Sequence, residues 1–126
     1  MATLTKLRFF ANQEIDRAAG EARLRYITDI PGQEAVYTQK MEQAKAFLLV
    51  PLGTVPPYIA AEATATARTA QQAASDIMAV AAAWNDTLSP AIEQARIGGK
   101  RQVSLAATES AIALAKDNAV AALQVF

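Results

Sequence analysis

The stretch from Thr69 to Val103, TAQQAASDIMAVAAAWNDTLSPAIEQARIGGKRQV, is rich in alanine and contains two signals that start helices. Thr69 and Gln72 have the spacing of a capping box, in which the threonine oxygen accepts from the backbone N–H three residues on and the glutamine side chain reaches back. Ser89 precedes Pro90, and proline suits the first turn of a helix but interrupts the hydrogen bonds of a helix interior. The stretch therefore predicts a helix over about 69–88 and another over about 90–125, with Ser89 as its N-cap.

A seven-residue repeat runs through these two predicted helices. Apolar residues in the same column of the repeat are Ala70, Ile77, Trp84, Ala91, Gly98, Leu105, Ile112, Ala119 and Phe126. Columns of small residues allow helices to approach closely, but they bury little apolar area per residue. We therefore expect these helices to pack in a bundle or in an oligomeric, coiled-coil-like arrangement, with the chain as a homo-oligomer.

The first half of the chain predicts three further helices. Apolar residues at spacings of three and four indicate an amphipathic helix over about 3–26. Pro31 starts a second helix over about 31–50, which Thr28 or Asp29 can cap, and a proline-rich connector over 51–57 ends it. A short helix follows over about 57–67. The expected fold is all-α, a helical hairpin followed by long C-terminal helices, in a single domain over 1–126.

Two neighbouring phenylalanines depart from the pattern of the first helix. At about 100° per residue, Phe9 falls nearly opposite the apolar stripe and Phe10 falls to its side. One interpretation is that Phe10 widens the stripe while Phe9 lies in a frayed end or under a neighbouring segment. The other is that both residues form an intermolecular contact face.

The composition narrows the possible functions. Twelve Lys and Arg residues balance twelve Asp and Glu residues, so neither nucleic acid nor an acidic membrane surface is an expected partner. The chain has no histidine and no cysteine, which removes the commonest general base, the commonest metal ligand and all thiol chemistry. None of the serines has a histidine or a lysine dyad to activate it. We expect no enzymatic activity, no catalytic residue, no metal and no cofactor.

The segment Ala95–Gln102, ARIGGKRQ, superficially resembles a phosphate-binding loop. A Walker loop would need glycine at position 94 and serine or threonine at 101, where Gln94 and Arg101 stand. Anion binding by Arg96 to Arg101 remains an alternative hypothesis. The favoured interpretation is that Gly98, in the apolar column, permits close helix approach or loosens the helix after Pro90. On that interpretation Gly98→Leu should disturb packing or assembly more than Lys100→Gln.

Trp84 is the only tryptophan, and it falls in the apolar column beside Ile77. It is interpreted as a core residue, with a partner contact as the alternative. The candidates for self-association or for contact with a partner are Phe9, Phe10, Trp84, Gly98, Leu105, Ile112 and Phe126.

Two segments, EIDRAAGEARLRYITDIPGQEAVYTQKMEQAKAF from position 14 and the Thr69–Val103 stretch, carry a resemblance to known proteins. The chain resembles small helical proteins and helical end domains that tailed bacteriophages and prophages encode among their tail genes, often near the tail fibre. The resemblance implies a non-enzymatic structural or attachment component of the virion tail, made in the host bacterial cytoplasm and assembled with other phage tail proteins. The alternative that it leaves open is a tail-fibre assembly chaperone that the virion does not retain.

Overall fold

The computed structural model describes residues 3–27 and 32–126, and within these ranges the chain contains helices and no β-strand. The helices are α1 (Leu4–Leu24), α2 (Gln33–Leu49), α3 (Pro57–Thr66), α4 (Ala70–Ala82), a π-helical turn (Ala83–Leu88), α5 (Ser89–Leu105) and α6 (Glu109–Gln124). The predicted all-α fold is confirmed. The predicted cap at Thr28 or Asp29 and the helix start at Pro31 lie outside the described residues.

Contacts divide the described residues into two compact units, and the expectation of a single domain over 1–126 stays a prediction. One unit, over 32–87, contains α2, α3 and α4; the other, over 3–27 and 88–126, contains α1, α5 and α6. No helix of the described chain is both long enough and apolar enough to cross a bilayer.

The α2–α3–α4 unit packs around a small apolar cluster. Ala44 and Phe47 of α2, Ile59 of α3 and Ala74 of α4 are buried, and Leu48, Ala70, Ile77 and Met78 pack against them. The capping box is confirmed at the start of α4, because Thr69 Oγ1 accepts from the Gln72 backbone N–H and Gln72 Oε1 accepts from that of Thr69, each at 3.1 Å. The connector is confirmed as non-helical between α2 and α3, where Leu52 is 98% exposed.

The α1–α5–α6 unit is a three-helix bundle in which each helix packs on the other two. Its core combines small residues of α1, such as Ala19 and Ala22, with branched side chains that are fully buried: Ile15, Ile92, Val103 and Leu123. The three-residue segment 106–108 joins α5 to α6, so these two helices form the hairpin of this unit.

Two arginines, Arg8 of α1 and Arg25 directly after it, cap the ends of the other two helices. The Arg8 guanidinium donates to the carbonyl of Ala106 at 2.7 Å, just after α5, and Arg25 donates to the carbonyls of Leu123 at 3.1 Å and Phe126 at 3.0 Å, at the end of α6. The last carbonyls of a helix have no hydrogen-bond partner within it and carry partial negative charge. An arginine there stabilises them both by donating hydrogen bonds and through its positive charge. The contacts make α1 antiparallel to α5 and parallel to α6.

The prediction of a single helix over 90–125 is wrong, because this stretch forms two helices, α5 and α6. Ala106 leaves the helical conformation, and Thr108 caps α6 by accepting from the Ala111 backbone N–H at 3.1 Å. The seven-residue column concealed this reversal because it continues from Leu105 to Ile112 across the break.

Ser89 as an N-cap is also wrong. Leu88 before it is already helical, with φ −71° and ψ −51°, and α5 has no side-chain cap. Pro90 cannot donate to the carbonyl four residues back, and its ring pushes that carbonyl away. The π-helical turn that precedes α5 has wider hydrogen bonding, which accommodates the proline without ending the helical run.

Gly99, and not Gly98, allows close helix approach. A Cβ atom at Gly99 would lie 2.5 Å from Cβ of Ala119 and 3.5 Å from Cδ1 of Ile15, whereas a Cβ at Gly98 would meet nothing within 4 Å. The absence of a side chain at Gly99 therefore sets how closely α5 lies on α6. The residue that the apolar column singled out is its neighbour, about 100° away around the helix.

These two adjacent glycines form a matched pair for a stability test. We expect Gly99→Ala to lower the free energy of unfolding by about 1–3 kcal/mol, because the new methyl group forces α5 and α6 apart. Gly98→Ala should raise it by about 0.5–1 kcal/mol, because alanine favours helix and has room. Urea unfolding followed by circular dichroism, at protein concentrations where the chain is monomeric, measures both changes, and equal effects of the two substitutions would contradict this packing.

Candidate functional site

An open groove lies between α5 and α6, with a volume of about 770 Å³. All of its lining residues belong to these two helices, to the segment that joins them or to the C-terminal residue: Ala91, Gln94, Ala95, Gly98, Gly99, Gln102, Leu105, Ala106, Ala111, Leu114, Ala115, Asn118, Ala119, Ala122 and Phe126. None of these side chains is ionisable. The groove is an apolar surface of small residues, interrupted by three side-chain amides.

Three of the seven predicted contact residues meet in this groove. Gly98 lies in its α5 wall, Leu105 at the end of α5 is 63% exposed, and Phe126 lies beyond α6. Gly98 thus faces open space and not a helix of its own unit. In the α1–α5–α6 unit, a leucine side chain at position 98 would extend into the groove and would leave the core intact. The disturbance predicted for Gly98→Leu can therefore arise only through assembly.

The other four predicted residues lie elsewhere. Ile112 is buried in the core of the α1–α5–α6 unit, at 3% exposure. Phe9 and Phe10 are both exposed on α1, and their rings meet edge to face with centroids 5.7 Å apart. Trp84 is half-buried in the π-helical turn. The apolar column therefore mixes core residues with surface residues.

Two of the three cations of ARIGGKRQ, Arg96 and Lys100, form ion pairs that hold α5 to α1. Lys100 Nζ lies 2.9 Å from Asp16 Oδ2, and Arg96 Nη1 lies 3.0 Å from Asp16 Oδ1. Glu93 accepts from Arg96 Nε at 3.0 Å and from Arg23 Nη2 at 2.6 Å. Two carboxylates and three cations of α1 and α5 thus form one network along this seam.

The network changes the acidity of its members. Hydrogen bonds from Arg96 outweigh burial and, with those from Arg23, lower the pKa of Glu93 from 4.5 to about 2. Burial raises the pKa of Asp16, but hydrogen bonds from Lys100 and Arg96 prevail and lower it overall. The carboxylates raise the pKa of Arg96, chiefly through hydrogen bonds from its guanidinium to Glu93. Both carboxylates are therefore charged at neutral pH and offset two of the three positive charges beside them.

An anion at Arg96 or Lys100 would have to compete with these carboxylates. The contacts suggest a structural role for this segment: Arg96 and Lys100 bind Asp16 of α1, Gly99 packs on α6, and Gly98 lines the groove. Anion binding by Arg96 to Arg101 stays a hypothesis that no contact in the structure favours.

A further ion pair lies on the other seam of α1. Lys116 Nζ of α6 lies 3.0 Å from Glu14 Oε2 and 2.7 Å from Asp117 Oδ1, and hydrogen bonds to Asp117 and Glu14 raise the pKa of Lys116. Within residues 3–27 and 32–126, no ion pair links α5 to α6. Charged contacts between the helices of this unit therefore lie along α1, and the groove between α5 and α6 is neutral.

The sequence interpretation missed the α6 side of the groove. Leu114, 61% exposed, and Ala115 and Ala122 line it, but a helix drawn continuously over 90–125 placed them beyond Gly98 instead of beside it. Thr108 carried the signal that would have found them, because threonine favours N-caps and its oxygen reaches the N–H three residues on.

Metal ligands are not gathered in the described part of the chain, where no three acidic side chains lie close enough to hold an ion. Comparison with protein-family models, with curated proteins and with solved structures finds no match to this chain. The resemblance to phage tail proteins therefore stays a prediction, and the groove is the feature on which a functional proposal can be built.

The ion pairs of Glu93 predict a dependence of stability on pH. Because its pKa is lower in the folded protein than its ordinary value of 4.5, the ionised form stabilises the fold above about pH 4.5, and this contribution is lost as the pH falls toward 2. Glu93→Gln should therefore lower the melting temperature at pH 6 and reduce its fall between pH 4.5 and 2.

Glu21→Gln is the matched control for this change. Glu21 is exposed on α1 and takes part in no ion pair between described residues. Thermal unfolding at a series of pH values measures all three proteins. Glu21→Gln should leave the dependence of melting temperature on pH as it is in the parent protein. If Glu93→Gln leaves it equally unchanged, the network does not stabilise the fold.

Proposed function

We propose that this chain is a non-enzymatic structural or attachment component of a bacteriophage tail, associated with the tail fibre or tail tip and assembled through helix packing. The observation that carries the assembly role is the neutral groove between α5 and α6. Two exposed leucines, Leu105 and Leu114, line it together with alanine and glycine. The phage setting rests on the resemblance of the two sequence segments alone.

The chemistry of the groove suits a packed helix better than a small molecule. Its volume falls within the range of ligand pockets, about 300–1,000 Å³, but such pockets enclose most of the ligand and hold a few polar groups that fix its orientation. This groove is open, and its polar groups are the amides of Gln94, Gln102 and Asn118. A helix from another protein chain can cover an open groove along its whole length, since small residues let helix axes approach to about 8 Å.

The rival proposal is an assembly chaperone of the tail fibre. A chaperone would use the same exposed apolar face to hold a client and would leave before the particle is complete. The two proposals make different statements about where the chain ends up, in the virion tail or only in the bacterial cytoplasm. The partners in both cases are other phage tail proteins.

Mass spectrometry of purified virions distinguishes the two roles. Induced cells that carry the gene are lysed, particles are isolated by density gradient, and peptides of the chain are quantified against the major tail proteins in both the lysate and the particles. We expect a fixed stoichiometry in the particles that further purification leaves unchanged.

An abundant chain in the lysate that is absent from intact virions would contradict the structural role and favour the chaperone. A capsid protein in the same samples serves as the control for particle integrity.

A further inference from the structure

We propose that the occupant of the α5–α6 groove is the same groove of a second copy of this chain, packed about a two-fold axis. The inference rests on the proposed assembly role and deepens it by naming the first partner. Three properties of the groove carry it: its charge, its side-chain amides and the placement of its large and small residues.

Charge is the first argument, because a two-fold interface brings one surface patch against itself. An ionisable side chain close to the axis would face its own copy, and like charges held in contact repel. All lining side chains of this groove are uncharged, while Lys100 and Lys116 of the same two helices bind Asp16 and Glu14 on α1. The groove can therefore meet its own copy without repulsion between like-charged side chains.

The polar residues of the groove are also self-complementary. Gln94, Gln102 and Asn118 line it, and each carries an amide with both donor and acceptor groups. Two copies of the same amide can hydrogen-bond each other across a two-fold axis, which two carboxylates or two ammonium groups cannot do at neutral pH. The polar groups that assembly would bury thus have partners of their own kind.

Shape supports the same conclusion. Leu105 ends α5 and Leu114 follows the start of α6, so the two exposed leucines lie toward the end of the hairpin where segment 106–108 joins the helices. Ala91, Ala95 and Gly98 line the groove further along α5. In an antiparallel arrangement, the leucines of each copy rest on the small residues of the other.

The size of the face limits the expected affinity. α5 has 17 residues and α6 has 16, so each helix is about 25 Å long at about 1.5 Å per residue. Two such helices about 10 Å apart present a face of about 500 Å² per copy, near the lower end of specific interfaces. We therefore expect a dimer that dissociates on dilution.

Sedimentation equilibrium of the full chain tests this proposal with a pair of glycine variants. Gly98→Leu places a bulky side chain in the groove and should raise the dimer dissociation constant about tenfold or more, because the helices can no longer approach. Gly20→Leu is the matched control, since a Cβ at Gly20, on α1 outside the groove, also meets nothing within 4 Å. It should leave the dissociation constant unchanged, and melting at low concentration verifies that each variant folds.

A charge exchange tests the two-fold symmetry independently of side-chain size. We expect chains with both Gln94→Glu and Gln102→Glu, and chains with both Gln94→Lys and Gln102→Lys, to be monomers when each is alone. An equal mixture of the two should associate again, because opposite charges now meet. The parent dimer should have nearly the same dissociation constant at low and high NaCl, as befits a neutral interface.

A parent chain that stays monomeric at the highest concentration would overturn the proposal, and so would a dimer that Gly98→Leu does not weaken or that the mixture does not restore. These outcomes are separate from the test of the proposed function. If the chain dimerises but is missing from virions, only the proposed tail role is contradicted. If it is monomeric but present in virions, only the proposal that a second copy occupies the groove is contradicted.

Discussion

The close approach of α5 to α6 at Gly99 is the constraint on which the α1–α5–α6 unit depends. With only 2.5 Å between a notional Cβ at this position and Cβ of Ala119, no side chain can stand there without moving a helix. The approach brings Ile15 of α1 over the same point, so that the three helices meet around one glycine and one alanine. Because alanine buries little area, the apolar driving force comes from a few branched residues, such as Ile92, Val103 and Leu123.

The same geometry separates charged from neutral surface. α1 lies along one side of the hairpin, where its carboxylates Glu14 and Asp16 bind the lysines of α6 and α5. Lys100 and Lys116 of the hairpin thus contribute to the packing of α1, and the groove is left without ionisable side chains. A helix pair with ion pairs to α1 on one side and a groove of small, uncharged side chains on the other is suited to packing against a further helix pair, which is the physical basis of the assembly role that we propose.

Much of the local structure could be predicted from the sequence because it depends on residues a few positions apart. The all-α composition, the capping box at Thr69 and the proline-rich connector belong to this class. The sequence does not reveal that the chain reverses direction before Thr108, because a strict seven-residue column runs across this point. A repeat alone does not distinguish one long helix from two shorter ones. Gly98 was chosen over Gly99 for a related reason: neighbouring residues differ by about 100° in direction, and only the position of α6 shows which one faces it. The ion pair of Lys100 with Asp16 spans 84 residues of sequence, so no local pattern could reveal it.

Disulfide mapping is the most direct test of the groove as a self-association face, because the chain contains no cysteine of its own. Single cysteines are introduced at Ala91, Ala95, Gly98 and Ala115 in the groove, and at Gln13 and Val80 on exposed surface elsewhere, and each variant is oxidised under identical mild conditions. The account predicts rapid covalent dimers at one or more groove positions and none at Gln13 or Val80. Equal cross-linking at all six positions, or cross-linking only outside the groove, would contradict it.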